Sequence, residues 1–529
     1  MEIARLIDAL KQPTAYPAPR GDIEVRQTHI SVVFLVGDTV YKIKKPLNLG
    51  FLDFSTLDRR RYFCEQEVLL NRRLAPDVYL GIVPICLADD GVRVEGSGPV
   101  IEWAVKMRRL PDNATLEARL ARGEAGLPEM QRIARRVAEF HAKAARSEYI
   151  ASFGSFPVVA GNARENFEQS LPEVGRTVHP RTFERCQERT EELLHDLKGI
   201  IAARAARGMP CDTHGDLHLD HVYLFDKPPP HDVAIVDCIE FNERFRYADP
   251  VADAAFLVMD LKAHRFDDLA SAFATAYLRD AQDAEGSQLM SFYSAYRAVV
   301  RAKVEGIKFR EAEVPEDERQ RALIKSQKHW LLALRELELP SQRPMLVLVG
   351  GLPGTGKSTL ARELATRSHF VVLRSDEIRK QLAGVSPLRP QSTEFQHGIY
   401  TEEWSQRTYL EMQRRADVLL FEGRRVLIDA AFHDEAKRQS FVELAKRWCV
   451  PMLWLECRAE PQVVQQRLAN RRGDPSDADW AVYQKMAALW SPPTEITQPY
   501  LRIVDTSGAL ERSVQQARQW LTQAGCDSP

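Results

Sequence analysis

Gly351-Leu-Pro-Gly-Thr-Gly-Lys-Ser358 follows the apolar run MLVLVG (345–350) and leads straight into STLARELAT (358–366). The octapeptide fits G-x-x-x-x-G-K-[ST] and meets both contextual demands of that motif, a strand before it and a helix after it. Glycines let successive backbone N–H groups close around a phosphate, and the helix N-terminus adds the positive end of its dipole. Gly351, Gly354, Thr355, Gly356 and Thr359 are therefore expected around the phosphates of a nucleotide. Lys357 is expected as a mobile charge on the β- and γ-phosphates, and Ser358 as a magnesium ligand.

Working outward, Leu339-Pro-Ser-Gln-Arg-Pro344 ends a long charged helix and marks a domain boundary. Downstream, the strand-like runs MLVLVG, FVVLRSD, RVLIDA, MLWLECR and YLRIVDT alternate with helical stretches, which predicts a parallel sheet covered by helices. Asp429 ends the run VLID, where a carboxylate would face the phosphate-loop metal; its bland role is a helix cap. Asp376 and Arg379 stand at D-x-x-R spacing on the first turn after the second strand. There the carboxylate could take a proton from an acceptor hydroxyl while the guanidinium holds an acceptor anion. Arg467, Arg471 and Arg472 precede Gly473-Asp474-Pro475 and read either as a mobile lid over the transferred phosphate or as a solvated basic face.

Taken together, GLPGTGKST, SDEIR, VLIDAAF and the arginine-bearing lid resemble the small P-loop kinases that include polynucleotide 5′-kinases, gluconate-type kinases and zeta-toxin-like kinases. The resemblance runs from about 344 to 507 and implies a three-layer αβα domain that transfers the ATP γ-phosphate to a hydroxyl. In polynucleotide kinases the D-x-x-R pair supplies the general base and a ligand for the acceptor phosphate, and Asp376 and Arg379 occupy those positions. A sugar, a nucleotide sugar and a nucleic-acid end all stay open as acceptors.

A second constellation lies upstream in Thr213-His-Gly-Asp-Leu-His-Leu-Asp-His221, followed by Asp237 within AIVDCIEF. Two aspartates on neighbouring β-rich loops suit a kinase, one near the acceptor hydroxyl and one on magnesium. The strand TVYKIKK places Lys42 and Lys44 on one face, and the following helix carries Glu65 and Glu67, so a lysine–carboxylate clamp for ATP is expected. His214 reads as a packed structural histidine. A transition-metal site made of His214, His218 and His221 with Asp216 or Asp220 is the competing reading.

These residues, with DCIEFNERFRYADPVADAAFL, resemble the aminoglycoside phosphotransferase and choline-kinase-like branch of the protein-kinase-like fold, from about 22 to 310. The resemblance implies Asp216 as the catalytic aspartate, Asp237 as the metal aspartate, Glu240 as a second metal-side acid, and Lys42 with Glu67 as the nucleotide clamp. Lys44 and Glu65 compete for that last role. Two departures stand out. His221 fills the position of the motif's metal-binding asparagine, although imidazole prefers softer ions than magnesium. No G-x-G-x-x-G loop exists, and Gln27–Ser31 is left to cover the phosphates.

The expected architecture is thus mixed α/β and α+β. A bilobal kinase-like domain spans 1–310 (lobes about 22–110 and 111–310), a helical linker spans 311–343, and a P-loop NTPase domain spans 344–529. The expected chemistry is bifunctional phosphotransfer with ATP and Mg2+; the alternative is a ligand-sensing pseudokinase module regulating the P-loop kinase. With 529 residues the chain can hold more than one core, and Lys+Arg 72 against Asp+Glu 74 leaves a net charge of −2. That balance disfavours a broad nucleic-acid-binding field. The eight cysteines show no C-x-x-C spacing and suit free thiols. No apolar run approaches the roughly 18 residues of a membrane span, and MEIARLIDALKQ lacks a signal-peptide core, so a cytoplasmic location without membrane contact is expected.

Overall fold

The computed structural model describes residues 2–17, 22–386, 398–470, 476 and 478–527. The chain divides into two compact units, one made of 1–162 and 194–294, the other of 163–193 and 295–529.

The first unit opens with the helix Ile3–Leu10, whose Leu6, Ile7 and Leu10 are buried against a six-stranded antiparallel sheet. Its strands are β1 (Ile23–Gln27), β2 (Ser31–Val36), β3 (Thr39–Lys44), β4 (Tyr79–Ala88), β5 (Gly91–Val94) and β6 (Val100–Arg108), in the order β1-β2-β3-β6-β4-β5. A two-residue turn at Gly37 and Asp38 joins β2 to β3, as the sequence predicts, and Gly37 takes the positive φ of 59° that such a tight hairpin needs. The helix Leu57–Asn71, capped by the Thr56 hydroxyl, packs Cys64 and Val68 on the opposite sheet face with Tyr79 and Val105.

Beyond the sheet, the second β-rich patch reduces to short ladders: β7 (Cys211–Asp212) with β10 (Tyr247–Ala248), and β8 (Val222–Leu224) with β9 (Val233–Ile235). Much of 213–241 is therefore loop, held by side chains. The helix Pro250–Ala263 is buried along almost its whole length and supplies two acids to that loop. Asp253, fully buried, accepts the N–H groups of His214 (3.0 Å) and Gly215 (2.8 Å) and contacts His141 Nε2 at 3.1 Å. Asp260 accepts the N–H of Leu219 at 2.9 Å and lies 3.5 Å from His264 Nδ1. A buried carboxylate is tolerated only when such donors replace water, so these acids and the loop fix one another.

In the second unit five parallel strands run β12-β13-β11-β14-β15: β11 (Met345–Gly350), β12 (Val371–Arg374), β13 (Arg425–Asp429), β14 (Met452–Arg458) and β15 (Leu501–Asp505). Alternating residues feed two cores. Leu346, Leu348, Val426, Ile428 and Trp454 meet Met412, Leu420 and Phe441 on one face, while Val347, Val349, Leu427 and Leu455 meet Leu360, Leu364, Val514 and Leu521 on the other. This is the three-layer αβα arrangement expected from the strand–helix alternation. Helices that chain order assigns to the upstream domain and to the linker also fall within this unit. Trp330 packs its ring 5.5 Å from that of Phe183 and 6.1 Å from that of Phe167, and Arg310 Nε lies 2.5 Å from Glu173. Such long-range helix pairing leaves no mark on local periodicity. All eight cysteines are buried and unbridged, and among the described residues no helix is long and apolar enough to cross a membrane.

Two measurements probe this framework. Hydrogen bonding to Asp260 raises the His264 pKa from 6.5 to about 9 against the cost of burial. A raised folded-state pKa stabilises fully below the unfolded value and loses that contribution as pH climbs through the folded value. Unfolding free energy should therefore decline between about pH 6.5 and 9, by less than about 1 kcal/mol because the histidine is partly exposed. Urea titrations on either side of that window should show the decline in the parent protein and none in His264→Gln. Arg438, fully buried, donates to Glu435, Phe432 O and Ser491 O and stacks 4.6 Å above Trp454. Arg438→Met should cost about 3 kcal/mol by leaving buried acceptors unpaired, read as a lower urea midpoint at unchanged m-value.

Candidate functional site

At the carboxyl edge of the parallel sheet, the turn 351–356 passes from β11 into the helix Lys357–Ser368, whose N-cap Gly356 has φ 86°. Gly351 has φ +142° and a Cβ there would meet the Cys457 carbonyl oxygen at 2.6 Å; Gly354 has φ +80° and a Cβ would meet Leu468 at 2.9 Å. Both positions therefore require glycine, because positive φ and close neighbouring atoms leave no room for a side chain. Parallel pairing sets Val349 beside Asp429 and Arg374 beside Asp429, so the strand ends converge on this turn.

Asp429 is the buried acid of this edge. Desolvation raises its pKa, opposed by the nearby Lys357 ammonium, a hydrogen bond from Ser358 and the Arg374 guanidinium 3.3 Å away. Among the described residues its Oδ1 has no hydrogen-bond partner despite full burial. A buried carboxyl oxygen without a partner is unusual in a finished core, and it fits a site for a hard cation beside the Ser358 hydroxyl. Arg374 escaped the sequence reading because its role depends on cross-strand register.

Asp376 and Arg379 lie on the helix Ser375–Leu382, with Arg379 Nη1 3.4 Å from Asp376 Oδ1. The guanidinium sits 5.1 Å from the Tyr400 ring centre, and Tyr409, whose hydroxyl is pushed up to about 12 by burial, accepts the Phe432 N–H nearby. Arg467 is brought to the phosphate turn: its Nη2 donates to Thr506 O at 2.7 Å, and Thr506 Oγ1 donates to Thr355 O at 2.5 Å. Thr506 is a further contact that spacing alone could not reveal. Arg471, the other lid candidate, lies outside the described residues, as do Arg472 and the Gly473–Pro475 turn.

In the first unit β3 and the helix Leu57–Asn71 bring both lysines to one glutamate. Lys42 Nζ stands 2.9 Å from Glu67 Oε1 and 2.5 Å from Asp237 Oδ1; Lys44 Nζ stands 2.7 Å from Glu67 Oε2 and also pairs with Glu240. Lys44 and Glu67 are fully buried, whereas the Lys42 side chain keeps 14% exposure. Glu65 instead pairs with Arg61 at 3.0 Å on the surface. Asp237 follows β9 with φ 65°, and its backbone N–H donates to the Tyr79 hydroxyl at 3.1 Å. Desolvation pushes the Asp237 carboxyl up, but Lys42 and His221 outweigh it and hold the group well below the ordinary carboxylate range. Lys42, for its part, is held well above its usual value because Asp237 and Glu67 overcome the desolvation of the ammonium.

Asp216 projects from the loop anchored by Asp253. His218 Nε2 lies 3.4 Å from Asp216 Oδ2, and His221 stands between the two aspartates, its Nδ1 3.7 Å from Asp216 Oδ2 and its Nε2 3.6 Å from Asp237 Oδ2. His214 is buried, its Nε2 2.9 Å from Val236 O, and burial depresses its pKa to about 4. That is the structural role expected of it. Asp253, which rigidifies this loop, went unassigned in the sequence although it lies within DPVADAAFL, because nothing local distinguishes a buried acceptor from a surface acid.

Residues 104–289 match the model of the phosphotransferase enzyme family, and residues 346–493 match that of an AAA domain. The uncharacterized protein Rv2004c of Mycobacterium tuberculosis is 34% identical over 501 residues, covering 94% of this chain and 94% of its own. Mb2027c of Mycobacterium bovis, likewise uncharacterized, matches to the same extent, 34% over 501 residues and 94% of each chain. Among solved structures, the GDP complex of aminoglycoside 2′-phosphotransferase-IIIa has a TM-score of 0.38 at 15% identity and covers 61% of this chain and 98% of that one. A gluconokinase from Sinorhizobium meliloti has a TM-score of 0.26 at 15% identity, covering 34% of this chain and 93% of that one. Likenesses this distant say nothing about the acceptor. With a phosphotransferase domain preceding a P-loop domain, and relatives aligned along nearly the whole length, this chain is a kinase-class enzyme and belongs to the family of the mycobacterial proteins Rv2004c and Mb2027c.

Proposed function

We propose that the chain is a bifunctional ATP-dependent phosphotransferase, each unit moving a γ-phosphate to a hydroxyl acceptor. The observation that carries the reading is the approach, in each unit, of a lysine to a buried or charge-held carboxylate, in the second unit beside the glycine-rich strand-to-helix turn. In the second unit these are Lys357 and Asp429; in the first, Lys42 with Glu67 and Asp237.

In the second unit the 351–356 amides would cradle the β-phosphate, and Lys357 would bridge toward the γ-phosphate. Magnesium, held by Ser358 and Asp429, would supply charge neutralisation on the phosphate oxygens. Asp376 would accept the hydroxyl proton, Arg379 would hold an anionic group on the acceptor, and Arg467 would stabilise charge beside the turn. In the first unit Lys42, oriented by Glu67, would grip the nucleotide phosphates, Asp237 would serve the metal and Asp216 would act as base. A sugar or other small hydroxyl compound suits the near-neutral charge better than a long nucleic acid, though a nucleic-acid end fits the Asp376–Arg379 pair.

His221 in the asparagine position favours a second reading, in which the first unit binds a ligand without transferring phosphate. One experiment separates the two. A screen of hydroxyl metabolites and oligonucleotide ends for labelled γ-phosphate transfer should find acceptors lost in Lys357→Ala and, independently, acceptors lost in Lys42→Ala. The expected fall in kcat is about 10²–10³ for each. If every acceptor is lost with Lys357→Ala and none with Lys42→Ala, the first unit is a sensor. If neither substitution lowers transfer, the phosphotransferase reading fails for both.

A further inference from the structure

The loop 216–221 has a chemistry that magnesium transfer does not use. Asp216, His218 and His221 each present a ligand atom, and these atoms lie within 4.8 Å of one another. Asp216 Oδ2 is 3.4 Å from His218 Nε2 and 3.7 Å from His221 Nδ1, and the two imidazole rings lie 3.8 Å apart between centroids. Two ligands held about 2.1 Å from one tetrahedral ion are separated by about 3.4 Å; Asp216 and His218 already stand at that spacing, and the full set, within 4.8 Å, would draw in slightly around an ion.

The groups that hold these side chains point the same way. His221 Nδ1 lies 2.9 Å from the Asp216 carbonyl oxygen. A proton on Nδ1 of the neutral ring satisfies that oxygen and leaves Nε2, 3.6 Å from Asp237 Oδ2, as the nitrogen through which His221 would ligate. The backbone carrying the three ligands is pinned by Asp253 at Gly215 and by Asp260 at Leu219. The His218 and His221 side chains are 10% and 15% exposed, which keeps most solvent off the ion while leaving a path to it. Two imidazoles with one carboxylate form a donor set of the zinc class, whereas magnesium takes oxygen ligands.

We infer that Asp216, His218 and His221 form a binding site for an imidazole-preferring divalent ion of the zinc class, with Asp237 at its edge. Three protein ligands leave a coordination position open to water or to an oxygen of a bound molecule. Because Asp216 is one ligand, an ion here withdraws that carboxylate from proton transfer, and occupancy by zinc competes with any use of Asp216 as a base. Ion binding itself does not rest on the phosphotransfer reading, since the ligands stand together whether or not the unit turns over ATP.

The probe is cobalt(II), which takes zinc sites and reports its ligands by visible absorption. Titrated into the full-length protein, it should saturate at one equivalent with intense bands of low coordination number. Zinc should remove those bands and an excess of magnesium should not. His218→Ala and the conservative His221→Asn should each weaken cobalt binding at least tenfold. Ser358→Ala, which alters only the other unit, should leave the bands intact, and circular dichroism confirms that each variant is folded. A spectrum of merely solvated cobalt in the parent protein, or bands that persist in folded His218→Ala and His221→Asn, would overturn the site.

Discussion

Parallel pairing of β11 with β13, and of β13 with β12, is the constraint on which the second unit depends. In a parallel sheet all strands end on one edge, so a turn, a carboxylate and a helix start that lie far apart in the chain arrive side by side. Val349, Arg374 and Asp429 share that edge, and the phosphate turn grows directly from it. The apolar residues on both sheet faces hold the register, because a one-residue slip would turn Leu346, Leu348, Val426 and Ile428 away from the core they fill.

The first unit solves the same problem with buried charge. Its catalytic-loop candidates lie in a segment with little regular structure, and a fully buried aspartate substitutes for a ladder of backbone hydrogen bonds by receiving two consecutive N–H groups. Likewise Glu67 is tolerated without water because Lys42 and Lys44 each reach one of its oxygens. These pairings specify geometry more than they stabilise. Removing either partner would strand the other charge in a medium of low polarizability.

Each unit brings a lysine and an acid together, and the side chains beside them differ in the ions they suit. In the second unit the donors are a hydroxyl and a carboxylate, Ser358 and Asp429, which suit a hard ion. In the first, the imidazoles of His218 and His221 stand among the carboxylates, a donor set that suits a softer ion.

Much of this was legible in the chain itself. G-x-x-x-x-G-K-S between an apolar strand and a helix determines a tight strand-to-helix turn, because only glycine tolerates those φ values and close approaches, and strand–helix alternation determines a parallel sheet. The hairpin at Gly37 and the shared face of Lys42 and Lys44 follow from the two-residue period of a strand. Tertiary structure alone decided the rest. It selected Glu67 over Glu65 as the partner of both lysines, since the helix turns one inward and the other to solvent. It also revealed Asp253, Arg374 and Thr506 as supports and gathered helices from 163–193 and 295–337 into the P-loop unit. The physical reason is common to these cases: local periodicity encodes which face of an element is apolar, whereas the partner that face or charge meets is set by contacts across hundreds of residues, which no short window of sequence contains.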